Sequence, residues 1–350
     1  MKKLSIIFLF TILIFMGCGD NKETQNNTPE QDVTTFDSTE IKTSSVDAST
    51  VGLVKLNYQL KKGNTYNFRL TSIADDNQKI TADTVMEQKV VQTITYLINS
   101  KVNEVEADGV MEVEFNFKSV KLTADANGKK YSYKSGTVLD STDKDRYLEY
   151  EALVNNPFTV RLDSNGDILD VFRADKIVNK LLELRNMKDS VSAEDKKLLQ
   201  QDMVEGALKP MVAQVFRKFP STEVGKDSTW KNVLPEANLQ LFTLQTIQNF
   251  KLGSFENFNG DNLAVITADV TANYKISPQA KQNKVDVKNP EYRADGKIYF
   301  NLNKGLIQKS ITTTSMKIQF SVNMPTPQQT MQKVTRTQTT INKNILELLN

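Results

Sequence analysis

Histidine is absent from the 350 residues of the chain, and cysteine and tryptophan occur once each. Without histidine, the chain lacks the commonest general base, the commonest zinc ligand, and the serine and cysteine triads in their usual form. One cysteine permits no internal disulfide and no structural zinc site. Carboxylates, Lys, Tyr and Ser remain for catalysis, so an enzyme of this composition would be a two-carboxylate hydrolase. No pair stands out among the 42 acidic residues, and we expect a protein without enzymatic activity, metal or cofactor.

An excess of charge of one sign is also missing. The chain has 44 basic and 42 acidic residues, and the totals become equal if Lys2 and Lys3 leave with a signal peptide. A balanced surface gives no electrostatic reason to expect nucleic acid as a partner. Beyond the N-terminal region, no apolar run is long enough to cross a membrane. We therefore expect most of the chain to form a folded body outside the bilayer.

The longest apolar run extends from Leu4 to Met16 and is followed by Gly17 and the only cysteine, Cys18. It is too short to span a hydrocarbon core of ~30 Å as a helix, but it suits the apolar part of a secretory signal. The stretch resembles the bacterial lipoprotein signal, although Phe15 stands where leucine is usual. This resemblance implies cleavage before Cys18 and acylation of its thiol. A plain signal peptide and an uncleaved anchor helix are the alternatives.

Composition divides the chain into three segments. Residues 1–17 form the signal, and residues 18–50 are rich in Asn, Gln, Thr, Ser, Asp and Glu, which predicts a disordered tether. Residues 51–350 form a single β-rich domain, with a β part at 51–173, a helical part at 174–219 and a second β part at 224–350. Acyl chains at the start of such a tether would hold this domain on a membrane.

Alternation of apolar and polar residues predicts strands on both sides of the helical part. The clearest is 110–122, where Met111, Val113, Phe115 and Phe117 share one face and a shift in register predicts a bulge near Ser119. A hairpin is expected from 53–60 to 66–73, and others are expected at two Asn-Gly turns. The second of these turns lies in an acidic loop, 163–167. Its spacing does not match a calcium loop, so we interpret it as a hairpin turn.

Helical spacing begins near Asp175 and resumes after Ser192, where an approximate capping box starts a second helix. Pro210 should kink or split this helix near Gly206. Its apolar stripe includes Leu199, Met203, Leu208 and Met211. The expected fold class is α+β, with a large, curved, half-barrel-like antiparallel β-sheet packed against two or three central helices.

The order of these features resembles an uncharacterised family of Bacteroidota lipoproteins. The residues that carry the resemblance are the lipoprotein signal, the opening Lys61-x-Gly63-x-x-Tyr66, Phe219-Pro220 and Val224-Gly225-Lys226-Asp227-Ser228-Thr229-Trp230. At the level of fold, the layout is similar to the half-barrel carrier and receptor lipoproteins of the Gram-negative envelope. The resemblance implies a lipid anchor in the outer membrane, on its periplasmic or its surface side. It also implies O-glycosylation of Ser38.

Two functions are compatible with this interpretation. The first is binding of a lipid or another hydrophobic ligand on the apolar side of the sheet, and the residues expected to form the site are Met111, Val113, Phe115, Phe117, Leu199, Met203, Leu208 and Met211. These side chains have a simpler alternative role as the contact between a helix and the sheet. The second function is an interaction module that presents its polar, threonine-rich surface to another envelope protein or to a glycan.

Overall fold

A computed structural model gives the structure of residues 38–325 and 330–349. Cys18 and the predicted signal lie outside the described residues. The helices within these ranges are α1 (Ala48–Val51), α2 (Ser141–Leu153), α3 (Asp175–Leu184), α4 (Ala193–Met203), α5 (Lys209–Val215) and α6 (Pro278–Gln282), with a π-helical turn at Val204–Leu208. The strands are β1 (Ser44–Val46), β2 (Thr65–Thr81), β3 (Val85–Val105), β4 (Met111–Ala126), β5 (Lys129–Lys134), β6 (Phe158–Leu162), β7 (Ile168–Phe172), β8 (Thr229–Val233), β9 (Ala237–Asn238), β10 (Phe242–Phe258), β11 (Asp261–Ile276), β12 (Asp286–Val287), β13 (Glu291–Asn301), β14 (Leu306–Pro325) and β15 (Met331–Leu349).

All of these strands belong to one antiparallel sheet. Its order is β1-β10-β11-β13-β14-β15-β2-β3-β4-β6-β7, and the short strands β5, β8, β9 and β12 pair alongside β4, β10 and β14. The pairing of β15 with β2 joins the two β parts, because residues 335–349 lie opposite residues 67–81. The sheet is curved and open, and few helices accompany it. The structure therefore confirms the predicted α+β class.

The alternation in β4 separates an inner face of the sheet, which the helices contact, from an outer face. Met111 and Phe117 are buried on the inner face, whereas Glu112 and Lys118 lie on the outer side. The predicted bulge is confirmed, because Leu97 and the next residue of β3 pair with Ser119 and Phe117, which leaves Lys118 unpaired in the register.

The large core consists of inner-face side chains and the apolar sides of α2–α5. The ring of Phe115 on β4 lies 5.7 Å from Phe216, at the end of α5, and 5.7 Å from Phe158 on β6. Leu181 of α3 and Met211 of α5 are buried in the same cluster. The helix continues from α4 to α5 through the π-helical turn, which contains Gly206 four residues before Pro210. This irregularity lies where a kink or a split of the helix is predicted.

Helices α2–α5 cover only one half of the inner face. Val102 and Ile98 of β3 are buried beneath them, whereas Met86, near the other end of β3, is 61% exposed. Exposure also increases along β14, where Ser310 is 1% exposed and Thr314 is partly exposed. We call the end of the sheet with Val102 and Ser310 the covered half, and the end with Met86 and Thr314 the uncovered half.

The predicted strand at 53–60 is wrong. Val54 makes a single bridge, and the chain then passes the covered core as an extended segment without a neighbouring strand. Loops supply its hydrogen bonds: Tyr58 N donates to Ser164 O at 2.7 Å, and the next residue donates to Gly305 O at 3.2 Å. Every second side chain from 56 to 60 is buried. This alternation has the period of a strand although no ladder is present.

Tyr58 fixes this segment to the rest of the core. Its hydroxyl donates to Arg217 O at 3.1 Å and accepts from Arg217 N at 2.8 Å. The ring contacts Phe216, Phe219 and Phe300, with centroid distances of 5.0, 5.8 and 5.7 Å. Burial raises the pKa of the Tyr58 hydroxyl, so the group stays protonated and keeps both bonds.

The folded part of the chain begins before residue 51, where composition predicts its start. The expected tether extends to residue 50, but β1 pairs with residues 255–257 of β10 and α1 follows it. Ile41 packs against an outer-face cluster that contains Val265 and Tyr299, and Glu40 Oε2 lies 2.7 Å from Lys297 Nζ. Sheet-edge hydrogen bonds and these contacts order the segment although its composition is polar.

The two Asn-Gly turns give a direct test of packing near Tyr58. Gly166 and Gly128 share a φ of +87°, but a Cβ on Gly166 would lie 2.3 Å from Arg217 O and 2.6 Å from Tyr58 Cε2, whereas Gly128 faces open space. Gly128→Ala should cost about 1–2 kcal/mol of unfolding free energy through backbone strain. Gly166→Ala should cost about 1–3 kcal/mol more, because the Cβ overpacks the core. Urea unfolding of both variants measures the difference, and equal losses would contradict this packing.

Candidate functional site

The structure brings together the residues that were predicted to bind a ligand. Seven are buried in the core of the covered half, and Leu199 packs against that core with partial exposure; the buried residues are Met111, Val113, Phe115, Phe117, Met203, Leu208 and Met211. Their side chains are in contact with other core residues, so the contact between helix and sheet accounts for their position. Ligand binding by these residues stays a prediction. Ser38 is exposed.

The acidic loop at 163–167 is a hairpin turn, as interpreted from the sequence. Asp163 Oδ1 accepts hydrogen bonds from the N–H groups of Asn165 and Asp167, at 2.9 and 2.8 Å. The Asp167 carboxylate pairs with Lys218. In residues 38–325 and 330–349, no group of three or more His, Cys, Asp or Glu side chains is arranged to hold a metal ion.

The uncovered half carries a second hydrophobic cluster on the inner face. Ten of its side chains are partly exposed, and we call the six largest of those on β11, β13 and β14 the apolar patch: Tyr274, Ile276, Tyr292, Met316, Ile318 and Phe320. They come from the neighbouring strands β11, β13 and β14. Burial raises the pKa of the Tyr292 phenol, so this side chain is neutral near pH 7. An apolar surface that is open to solvent on a folded domain is typical of a binding site.

Helix α6 covers one corner of this cluster. Its Ala280 is buried together with Phe242 and Leu244, which lie on the inner face of β10. Ser277 fixes the helix, because its hydroxyl accepts from Ala280 N at 3.1 Å and donates to Gln240 O at 2.6 Å. The five residues of α6 are too few to cover β13 and β14 as well, so the apolar patch stays open.

A set of polar side chains lies directly beside the apolar patch, on β15 and β2. We call it the polar stripe: Asp76, Gln78, Arg336, Gln338 and Thr340. The register of β14 and β15 places three residues of the patch opposite three of the stripe; the pairs are Met316–Thr340, Ile318–Gln338 and Phe320–Arg336. Side chains in such pairs are about 4.5–5.5 Å apart at Cβ. The uncovered half therefore presents an amphipathic surface.

Hydrogen bonds hold the polar stripe in one arrangement. Asp76 is 6% exposed, and its Oδ2 accepts from Gln338 Nε2 at 2.6 Å and from Thr340 Oγ1 at 2.9 Å. Arg336 donates to the side-chain oxygens of Gln338 and Gln78 at 3.0 and 3.1 Å. Three of these four bonds join β15 to β2 and hold the side chains of the stripe together.

The sequence contains part of the signal for this site. Ile318 and Phe320 alternate with Lys317 and Gln319, which predicts one wet face for the strand. The missing information is that β2 is the second neighbour of β15, because these two strands of the stripe are distant from each other in sequence. Asp76 and Thr340 are separated by 264 positions.

No helix within the described ranges combines the length and the apolarity that a membrane crossing requires.

Comparison with curated proteins finds no match. Among solved structures, lipovitellin, in a study of lipid–protein interactions, is 10% identical with a TM-score of 0.36, and the match covers 83% of this chain. The chain spans only 26% of the lipovitellin chain. The outer membrane protein OprG of Pseudomonas aeruginosa is 8% identical, with a TM-score of 0.17 and coverage of 83% and 98% of the two chains. A DUF1329 family protein of Desulfovibrio piger ATCC 29098 is 7% identical, with a TM-score of 0.12 and coverage of 80% and 84%. TM-scores at this level do not establish a shared fold.

A family model matches more than half of the chain. The matched region, residues 108–307, begins just before β4 and ends in β14, so it includes all of α2–α5 and part of the uncovered half. The chain belongs to the family of unknown function DUF6263.

Proposed function

We propose that this protein binds an amphipathic, lipid-like ligand on the uncovered half of the inner face and does not catalyse a reaction. The observation that carries the proposal is the register of β14 and β15, which places the apolar patch directly beside the polar stripe. A ligand with an apolar chain and a polar head contacts both surfaces at once. Sites for small molecules combine mostly apolar walls with a few placed polar groups, and this surface has that composition.

The proposed binding surface differs from the one that the sequence predicts. A ligand among Phe115, Met203 and Met211 would have to displace side chains that are already buried against one another. Displacing such contacts costs the packing energy that they supply, typically about 2–5 kcal/mol for each large side chain. The apolar patch is partly exposed in the absence of ligand, so binding there adds burial without removing any.

We also propose that the protein is a lipoprotein of the cell envelope, anchored to the outer membrane through acylated Cys18. The support is the short apolar run with Cys18 at its end. An anchor of this kind leaves the folded body in water, where the uncovered half can meet a lipid-like ligand.

Ligand binding is tested with residues 18–350 carrying Cys18→Ser, which removes the acylation site, and with a dye that fluoresces on apolar surfaces. Ile318→Lys places a charge in the apolar patch and should weaken dye binding by about tenfold or more, because a charged group disfavours apolar contacts. Gln319→Lys is the matched control, since the next residue of the same strand lies on the outer face. It should leave binding unchanged.

Equal dye binding by both variants would show that the dye does not bind at the apolar patch. The dye would then have another site, and the interaction module with a protein or glycan partner would be the better proposal. Circular dichroism and unfolding midpoints of both variants show whether each retains its fold.

The anchor is tested in cells that express the full-length chain. Labelled palmitate should be incorporated into the unaltered protein and not into a Cys18→Ser variant, because the thiol is the acylation site. Membrane fractionation should show the same difference. Equal labelling, or an intact mass that shows a free thiol at Cys18, would contradict the proposed anchor.

A further inference from the structure

Arg336 occupies the position where the polar stripe meets the apolar patch. Its register partners are Phe320 on β14 and Ile80 on β2, and all three side chains lie on the inner face. The guanidinium carbon is 6.0 Å from the centroid of the Phe320 ring. The side chain is partly exposed, so a ligand on the uncovered half can reach it.

The hydrogen bonds of Arg336 leave part of its guanidinium unused. One terminal nitrogen donates to Gln78 and Gln338, but Nε is out of contact with solvent and has no hydrogen-bond partner among the described residues. Both partners are neutral amides. The only carboxylate of the stripe, Asp76, accepts from Gln338 and Thr340.

Four other arginines have a carboxylate partner, and they are Arg69, Arg146, Arg161 and Arg185. Arg69 Nε lies 2.8 Å from Glu347 Oε2 on the outer face of the sheet, and Arg161 pairs with Glu106 at 2.6 Å. No ion pair within 4.0 Å joins Arg336 to a carboxylate in the described parts of the chain. The other terminal nitrogen of Arg336, Nη1, makes no hydrogen bond among the described residues, and it can donate to an anion on the uncovered half.

We propose that Arg336 binds the anionic head of the ligand, a carboxylate or a phosphate, while the apolar chain lies along Phe320, Ile318 and Met316. This inference rests on the proposed function and names the ligand class as an anionic amphiphile. Guanidinium is suited to the head, because its planar donors bind two oxygens of a carboxylate or phosphate at once. The spacing of residues on one strand face places Ile318 and Met316 in line behind Phe320.

The experiment measures the affinity of residues 18–350 carrying Cys18→Ser for dodecanoate, dodecyl phosphate, dodecanol and inorganic phosphate, below the micelle concentration. Arg336→Gln should weaken binding of the two anionic amphiphiles by about 10- to 100-fold, as expected for loss of a charged hydrogen bond, and should leave dodecanol unchanged. Arg336→Lys keeps the charge but loses the planar donors, so it should give an intermediate loss. Arg293→Gln is the control, because Arg293 is exposed on the outer face of β13.

The unfolding midpoint of Arg336→Gln should hold or rise, because the change removes a charge that lacks an ion-pair partner. Equal affinities of the unaltered and Arg336→Gln proteins for dodecanoate, with dodecanol still bound, would overturn the anionic head and leave the proposed function standing. Absence of binding by every amphiphile would overturn both. Binding of inorganic phosphate as tight as that of dodecyl phosphate would overturn the amphiphile, because the chain would then contribute nothing.

Discussion

The structure depends on a mismatch of length between its strands and its helices. β3 has 21 residues and β14 has 20, so each extends about 65–70 Å at ~3.3 Å per residue. The longest continuous helical stretch of the described residues, from α4 through the π-helical turn to α5 at 193–215, is about 35 Å long at ~1.5 Å per residue. The helical layer therefore covers only one half of the inner face. The proposed binding surface lies in the half that stays open.

The covered and uncovered halves of the inner face differ in how far their side chains are enclosed. In the covered half, Tyr58 and the phenylalanines around it form a closed core, and the Tyr58 hydroxyl both donates and accepts a hydrogen bond. In the uncovered half, Ile318 and Phe320 remain partly exposed, and Arg336 has an N–H without a partner. Folding does not require these features, and a ligand that covers them gains free energy from burial and from a charged hydrogen bond. The closed core and the proposed binding surface thus lie at different ends of the same strands.

Local patterns in the sequence predict much of this fold. The alternation in β4, the bulge near Ser119, the Ser192 cap of α4 and the helix irregularity near Gly206 are all visible without coordinates, because each depends on residues close in sequence. The predictions are wrong or missing where contacts between distant parts of the chain determine the structure. Residues 44–51 are predicted to be a tether, but a sheet edge orders them. Helix α2 is missing from the predictions because it has no clear apolar stripe. The site could not be predicted for the same reason. It exists only because β15, at the end of the chain, pairs with both β14 and β2.

The accessibility of the inner face along β14 tests this account most directly. Single cysteines replace Ser310, Thr314 and Ser315 in residues 18–350 carrying Cys18→Ser, and their rates of reaction with a thiol reagent are compared with and without dodecanoate. We expect Ser310→Cys to be protected, because it lies under the helices, and Thr314→Cys and Ser315→Cys to react. Dodecanoate should slow only Thr314→Cys, which shares the inner face with the apolar patch. A Thr314→Cys variant as protected as Ser310→Cys without ligand would show that the uncovered half is closed and would contradict an open binding surface on it.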